Sequence, residues 1–481
     1  MKKRKTIFQK NQDEQRAYSL PKESAKWTSF FPEKSLQRVE ELALPEVSEI
    51  DLTRHFSQLE KLNMGIDTNF YPLGSCTMKL NPRICEEVAG MPGFKKAHPL
   101  MPDEIIQGSL HVIFHLIRNL CKLCGMSNGT LAPNAGAQGE FVGIRMIQAY
   151  HQENGGEKRT QILVPDSAHG TNPASARMCG YDVITIRSDP KTGDVDLKHL
   201  EENISDKVAA LMLTNPNTVG VFSKNILKIT KMIHACGALL YYDGANLNPI
   251  LNLCQPGEMG FDVMHINLHK TFSTPHGGGG PGGAPVLCKE KLAPYLPVPW
   301  VVMDNGQYKT LWDQPKSVGM ITAYFGNFSV LLKAYLYFQL HGFYGLRKIG
   351  EMAILNANYL KYHLKSLFKS PIEGNCMHEF VLQADRFLDK GVKAFDIAKR
   401  LLDFGIHSPT VYFPLIIKEC LLIEPTESES KRTLDRFIDV MNVIVQEIEN
   451  DPDYIKKAPH NMPIKRLNEV YAVKSLELVD E

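Results

Sequence analysis

From about residue 61 to 345 the chain alternates short runs of apolar, often β-branched residues with longer stretches of helical periodicity. This alternation restricts the fold more than any other feature. The strand runs are Gln161–Val164, Asp182–Ile186, Ala209–Leu213, Ala238–Tyr242, Val263–Leu268 and Pro285–Cys288. They are brief and nearly continuous in apolar character, as strands covered on both faces are. Between two of them, 225–236 places Ile226, Ile229 and Ile233 on one helical face. Strand–helix–strand alternation is satisfied by a mostly parallel sheet wrapped by helices, so the expected class is α/β.

The flanks read differently. Residues 1–60 are polar and proline-broken, an arm that needs another surface to order it. Near 345 the apolar helix carrying Leu331, Leu332, Leu336 and Phe338 gives way to a section with its own strands, His378–Leu382 and Glu419–Ile423. Thr426-x-x-Glu429 has the spacing of a capping box and predicts the start of a helix bearing Leu434, Phe437, Ile438 and Met441. With 481 residues, too many for one core, the expected organisation is an arm (1–60), a large domain (61–345) and a smaller C-terminal α/β domain with a tail (346–481).

Charge excludes several functions. The 54 basic and 53 acidic side chains leave a net +1, which gives no electrostatic case for nucleic acid or an anionic membrane. No window approaches the roughly 18 apolar residues of a membrane span. The basic start Met1–Lys5 lacks the apolar core of a secretory signal, and Asp13 and Glu14 speak against a transit peptide, so the cytoplasm is the expected location. Of ten cysteines, Cys121 and Cys124 are the close pair, set among Leu116, Ile117, Leu120 and Leu123 of an amphipathic helix. No second pair or Cys/His cluster accompanies them, so buried reduced thiols are expected and no metal.

Four stretches carry chemistry. In Asp262–Gly277 an apolar strand runs into Lys270, followed by Ser, Thr and Gly; burial there would lower the lysine pKa and favour the neutral amine that Schiff-base formation needs. In Leu239–Asn246 the strand ends on Asp243, with small Gly244 and Ala245 beyond it. A buried carboxylate there needs a partner, such as a pyridinium nitrogen or the N-terminus of the next helix. Pro133–Glu140 opens a helix with small residues, leaving backbone N–H groups for a phosphate or for close packing. Pro165–Pro173 places His169 after a strand, where its ring could lie on a planar cofactor or bond within the core. Thr214–Thr218 adds polar groups after another strand. Alone, each has an ordinary structural explanation. Together they converge on the carboxyl edge of a doubly wound sheet, in the chain order of pyridoxal-phosphate enzymes built on the aminotransferase-like (fold type I) large domain.

At these residues the chain resembles the P-protein family of the glycine cleavage system. The resemblance runs through Asn134–Glu140, Asp166–Ala174, Tyr241–Asn248, Asn267–Gly280, Gly74–Asn81 and Glu424–Glu427, and covers about residues 60–445. It implies pyridoxal 5'-phosphate as cofactor, with Lys270 its Schiff-base lysine, Asp243 the pyridinium partner and His169 the ring stacker. Gly136, Ala137 and Gln138 would hold the phosphate, with His269 nearby. Ala245 would line the other ring face, and Asn217 or Thr218 would meet the phenolic oxygen. Ser75, Cys76 and Thr77 would lie near the substrate. Ser408 stands where the family pattern has a second proline, which puts a loop of the small domain in doubt.

The length matches the lysine-bearing half of a split bacterial form. The implied assembly is a heterotetramer with two copies of a homologous subunit 1 that lacks the lysine. The implied reaction decarboxylates glycine, releases CO2 and passes the aminomethyl group to the lipoyl arm of the H-protein. Gly277–Gly280 would let backbone approach that arm or the partner, or serve as a flexible loop. Another pyridoxal-phosphate decarboxylase or desulfurase would keep the lysine and aspartate without needing Gly74–Asn81. A non-catalytic scaffolding subunit would have no use for Lys270 and Asp243. A nucleotide loop at His276–Gly283 lacks the Gly-Lys-Ser/Thr that should follow its glycines.

Overall fold

The computed structural model describes residues 5–12, 15, 33–40 and 44–476. Asp13, Glu14, most of the basic start and much of the expected arm lie outside the described residues, as do the last five positions. The chain divides into two units, one of residues up to Gly65 together with those from Asn461 onward, the other Ile66–His460. In the first, helix Glu49–Glu60 is capped by Ser48, whose hydroxyl accepts from the Asp51 N–H.

The second unit is built on a seven-stranded sheet: β1 (Asn128–Thr130), β2 (Gln161–Pro165), β3 (Asp182–Ile186), β4 (Val208–Thr214), β5 (Leu239–Gly244), β6 (Val263–Ile266) and β7 (Val286–Cys288), in the order β1-β7-β6-β5-β4-β2-β3. The pairings from β6 through β3 are parallel, and β7 is antiparallel to both β6 and β1. Side chains along β4 and β5 alternate between two cores. Leu211, Leu213, Leu240 and Tyr242 join one, while Ala210, Met212, Leu239 and Tyr241 join the other. That is why these strands read as unbroken apolar runs.

Two expectations at the edge of the sheet shift. The run Val263–Leu268 ends as a strand at Ile266, and Leu268 begins a one-turn helix, Leu268–Thr271, that carries Lys270. Between β6 and β7 lie that turn and a Gly/Pro-rich loop with a short 3-10 turn, Gly277–Gly279. Without a crossover helix the chain cannot return to the start of the neighbouring strand, so β7 runs back antiparallel.

Beyond the sheet, β8 (Trp300–Asp304) and β9 (Gln307–Leu311) form a hairpin whose Asn305-Gly306 turn has φ of 49° and 81°, as a type I′ turn requires. Helix Phe328–Leu364, interrupted at Gly342, leads to an antiparallel sheet of β10 (Phe380–Gln383), β11 (Thr410–Val411) and β12 (Cys420–Ile423). Its core includes Leu360, Phe380, Leu421, Leu434, Phe437 and Met441. The expected capping box at Thr426 is displaced. Thr426 has φ +66° and its carbonyl accepts from Asn356, so helix Lys431–Asn450 starts four residues later on Ser430, whose hydroxyl accepts from the Thr433 N–H. Ser430→Ala should therefore lower stability by about 1 kcal/mol in a denaturant melt, whereas Thr426 contributes no cap.

Candidate active site

Strands β2, β4, β5 and β6 run parallel, so the residues that follow them meet at one edge. Lys270 stands there half-buried, and its ammonium has no hydrogen bond or ion pair among the described residues. Its charge nevertheless reaches much of the site. It favours the ionised forms of Cys76, Glu140, Asp243, Glu379 and Glu424. It also disfavours protonation of His169, His265, His269, His276 and His378.

Asp243, 2% exposed at the end of β5, has a built environment. Burial pushes its carboxyl pKa up. His265, the Ala245 N–H, Lys270 and Asn172 together outweigh that and hold it below the usual value. His265 Nε2 lies 3.3 Å from Asp243 Oδ1, and the His265 Nδ1 meets the Tyr241 hydroxyl at 2.8 Å. Burial raises the Tyr241 pKa, so the phenol keeps its proton and can donate to Nδ1, leaving Nε2–H for the carboxylate. A Cβ at Gly143 would come within 2.3 Å of the Tyr241 ring, so glycine makes room for this chain of donors.

Helix Gly136–Glu153 begins against the same edge. Its first backbone N–H with a backbone acceptor is that of Gly139, bonded to the Ala135 carbonyl, which leaves those of Gly136, Ala137 and Gln138 pointing out of the helix end. A Cβ at Gly136 would lie 2.6 Å from Asn267 Oδ1. The Gln138 side chain accepts from the Asn134 N–H and reaches the Ile321 carbonyl.

The buried polar atoms without a hydrogen bond among the described residues belong to Asn134, Asn172, Asn267, Thr271, Thr274 and His378. Three of these residues flank Lys270 in sequence. Asn172 lies close enough to Asp243 to lower its pKa, yet makes no well-aligned bond. Buried orphans are unfavourable, and their concentration at one edge calls for a ligand.

His169 is exposed on the loop after β2, with Nδ1 2.9 Å from the Thr171 hydroxyl, which in turn donates to Glu140. Surrounding protein and the Lys270 charge hold the imidazole below its ordinary pKa. His269 is pushed down to about 3 by burial, Lys270 and neighbouring histidines, and its ring meets that of His276 edge-on. Ala245 is half-buried beside Asp243. Asn217 and Thr218 lie at the end of β4, but their side chains bond within the chain. Asn217 joins Val219, Val221 and Gly193, and Thr218 donates to the Ser167 carbonyl.

Ser75, Cys76 and Thr77 arrive from outside the sheet. The His276 Nε2 bonds the Cys76 carbonyl at 3.2 Å, which sets this loop against the segment after Lys270. Two fully buried carboxyls anchor it from the other side. Glu379 accepts from the Ser75 N–H at 2.7 Å and Glu424 from the Thr77 N–H and hydroxyl at 3.1 and 2.5 Å. Burial and the Glu424 charge push Glu379 well up, and burial pushes Glu424 to about 7. The Cys121 and Cys124 thiols lie elsewhere, buried in helix Gln107–Cys124, and burial raises both.

The sequence reading gave no role to His265, Glu140, Glu379 or Glu424. Glu140, His265 and Glu424 stood inside stretches named above, and Glu140 and His265 are readable as polar residues in apolar company. Glu379 and Glu424 bracket strands of the second sheet, and nothing in their local pattern places them near Lys270.

A family model described as the glycine cleavage system P-protein matches residues 26–306, and one described as the C-terminal domain of glycine dehydrogenase matches 349–465. The chain is 50% identical over 472 residues to a probable glycine dehydrogenase (decarboxylating) subunit 2 of Caldanaerobacter subterraneus subsp. tengcongensis, covering 98% of this chain and 97% of that one. It is likewise 50% identical to the protein so named in Thermotoga maritima, covering 98% of each. A crystal structure of glycine decarboxylase (P-protein) of the glycine cleavage system, in inhibitor-bound form, superposes with a TM-score of 0.73 at 18% identity, over 86% of this chain and 94% of that one. A glutamate decarboxylase of Lactobacillus brevis superposes at 0.65 and 14% identity, over 87% and 98%. The fold is therefore that of the fold type I pyridoxal-phosphate enzymes. By the span and identity of these matches, the chain belongs to the glycine cleavage system P-protein family.

Proposed function

We propose that this chain is a pyridoxal-phosphate-dependent oxidoreductase subunit that decarboxylates glycine, releases CO2 and passes the aminomethyl group to the lipoyl arm of the H-protein. The observation that carries this reading is the convergence on one edge of a lysine without a polar partner among the described residues, a paired buried carboxylate and the open start of a helix. The residue set fits the cofactor. A phosphate would be held by the Gly136, Ala137 and Gln138 N–H groups, and the orphaned side chains of Asn267 and Thr271, either side of Lys270 in sequence, would be available to the rest of the cofactor. Pyridoxal phosphate, when bound, supplies an electron sink for the pair of electrons left by departing CO2.

Lys270 would hold the cofactor covalently. Asp243, kept ionised and oriented by His265 and Tyr241, would keep a proton on the ring nitrogen. His169 would lie on one ring face and Ala245 on the other. Neutral His269 would sit near the phosphate without adding charge. Contact of Asn217 or Thr218 with the phenolic oxygen would require an exchange of their present bonds. Ser75, Cys76 and Thr77 would border the substrate. The proposed partners are a homologous subunit 1, two copies of each chain forming a heterotetramer, and the lipoylated H-protein. The proposed location is the cytoplasm. Among the described residues no helix is long and apolar enough to cross a membrane.

The test combines the purified chain, subunit 1 and pyridoxal phosphate, and measures CO2 from carboxyl-labelled glycine with and without lipoylated H-protein. CO2 release that depends on H-protein, together with a visible absorbance band removed by borohydride, is the expected result. A coloured enzyme that releases no CO2 from glycine but acts on glutamate or cysteine would replace the substrate assignment with another decarboxylase or a desulfurase.

A further inference from the structure

Ser75 and Thr77, neither of them glycine, have φ of 61° and 39°. Such left-handed backbone is unfavourable for residues with a Cβ, and it persists only where the surroundings over-determine it. Here the surroundings are two side chains more than 300 positions away in the chain. Glu379 stands immediately before β10 and Glu424 immediately after β12, and both are 0% exposed. Each uses both carboxyl oxygens. Glu379 takes the Ser75 N–H on Oε2 and the Asn246 amide on Oε1, while Glu424 takes the Thr77 N–H on Oε2 and the Thr77 hydroxyl on Oε1. His378 lies between them, with Nε2 3.8 and 3.9 Å from the two carboxyls, and neither ring nitrogen has a hydrogen-bond partner among the described residues.

The arrangement has a direction. Asn246 is three residues past Asp243, so Glu379 joins the strained loop to the end of β5. On the far side the Cys76 carbonyl is held by His276, on the segment that carries Lys270. Cys76 is thus fixed at its carbonyl and at both neighbouring residues, while its own N–H has no acceptor among the described residues. A close fit of the loop to β12 at Gly74, where a Cβ would meet Leu422 at 2.2 Å, leaves no slack on the N-terminal side.

We propose that Glu379 and Glu424 are a two-carboxyl latch that holds the Ser75–Thr77 loop in its left-handed form, placing the Cys76 N–H to receive the carboxylate of an amino-acid substrate at the Lys270 site. The two glutamates are positioning residues that act through the loop. This rests on the glycine reading for the identity of the substrate, but not for the latch itself.

The Ser75 and Thr77 N–H groups are the latched donors, so hydrogen–deuterium exchange of the peptide spanning 74–78 reads the latch directly, without activity. In the full chain, Glu379→Ala and Glu424→Ala should each speed that exchange by about tenfold or more, while the peptide of helix Gln107–Cys124 stays unchanged. Assembled with subunit 1, the same variants should raise the glycine KM by about tenfold and change kcat by less than about threefold. Unchanged exchange at 74–78 overturns the latch, and a fall in kcat at constant KM overturns the positioning role. Should an alanine variant unfold throughout, shown by raised exchange in the 107–124 peptide, Glu379→Leu and Glu424→Leu, which fill the space without offering an acceptor, decide in its place by the same two readouts. A working latch in an enzyme inert toward glycine would overturn the substrate reading alone.

Discussion

Lys270→Ala should reduce glycine decarboxylation by at least about 10^4-fold, the scale seen when a covalent catalytic group is removed from a site whose parts act as a unit. The same variant should lose the borohydride-sensitive absorbance band and melt within a few degrees of the parent. The last expectation follows from the structure. The lysine is half-buried and makes no hydrogen bond or ion pair among the described residues, so its removal breaks no such bond and withdraws only a longer-range charge from the neighbouring carboxyls. Single-turnover CO2 release, absorbance and a thermal melt on one preparation decide the matter. Activity above about one percent of the parent would remove Lys270 from the chemistry, whatever the spectrum shows.

Asp243→Asn should be nearly as severe in rate, by about 10^2- to 10^3-fold in kcat/KM, for a different reason. Asparagine keeps the size of the side chain and an oxygen for the Ala245 N–H, but removes a charge that His265, Ala245 and Lys270 all help to maintain in a fully enclosed position. Asp243→Ala also leaves the His265 ring and the Ala245 N–H without their acceptor. That adds a loss of about 1–3 kcal/mol of stability. Steady-state kinetics with a denaturant melt separates the two. If the asparagine variant were destabilised as much as the alanine variant with little change in rate, Asp243 would be a structural residue that caps the end of β5.

β2, β4, β5 and β6 were legible because burial on both faces writes itself into sequence as short apolar runs, and they follow those runs to within a residue or two. β3, at the sheet's edge and only partly buried, was legible from its β-branched Val-Ile-Thr-Ile. β1, Asn128-Gly129-Thr130, has no such run. It pairs at an edge through its backbone, and the one mark it leaves is Gly129, where a Cβ would lie 2.5 Å from the Leu287 side chain. The direction of β7 and the helical turn under Lys270 depend on how a connection closes in space, which local pattern does not encode. The Thr426 spacing matched a capping box, yet tertiary bonds to Asn356 claim that segment and move the helix start to Ser430. The same division holds at the site. Lys270, Asp243 and the opening of helix Gly136–Glu153 were readable because each follows a strand or starts a helix. Glu379 was not, and Glu424 stood out only within the Glu424–Glu427 stretch of the resemblance, because both make their contacts with a loop more than 300 residues away.

That separation also orders events in time. Ser75 meets Glu379, Thr77 meets Glu424 and Lys79 meets Glu427 across 304, 347 and 348 residues of intervening chain. Contacts that close loops of this length form late, after local helices and neighbouring strands have paired. During synthesis, the strands that bear Asp243 and Lys270 leave the ribosome well before Glu427 does, and they can assemble while the 75–77 loop is still unanchored. A nascent chain would therefore present an open cofactor edge first, and loading at that stage would place the cofactor before the last-made residues fasten the loop beside it.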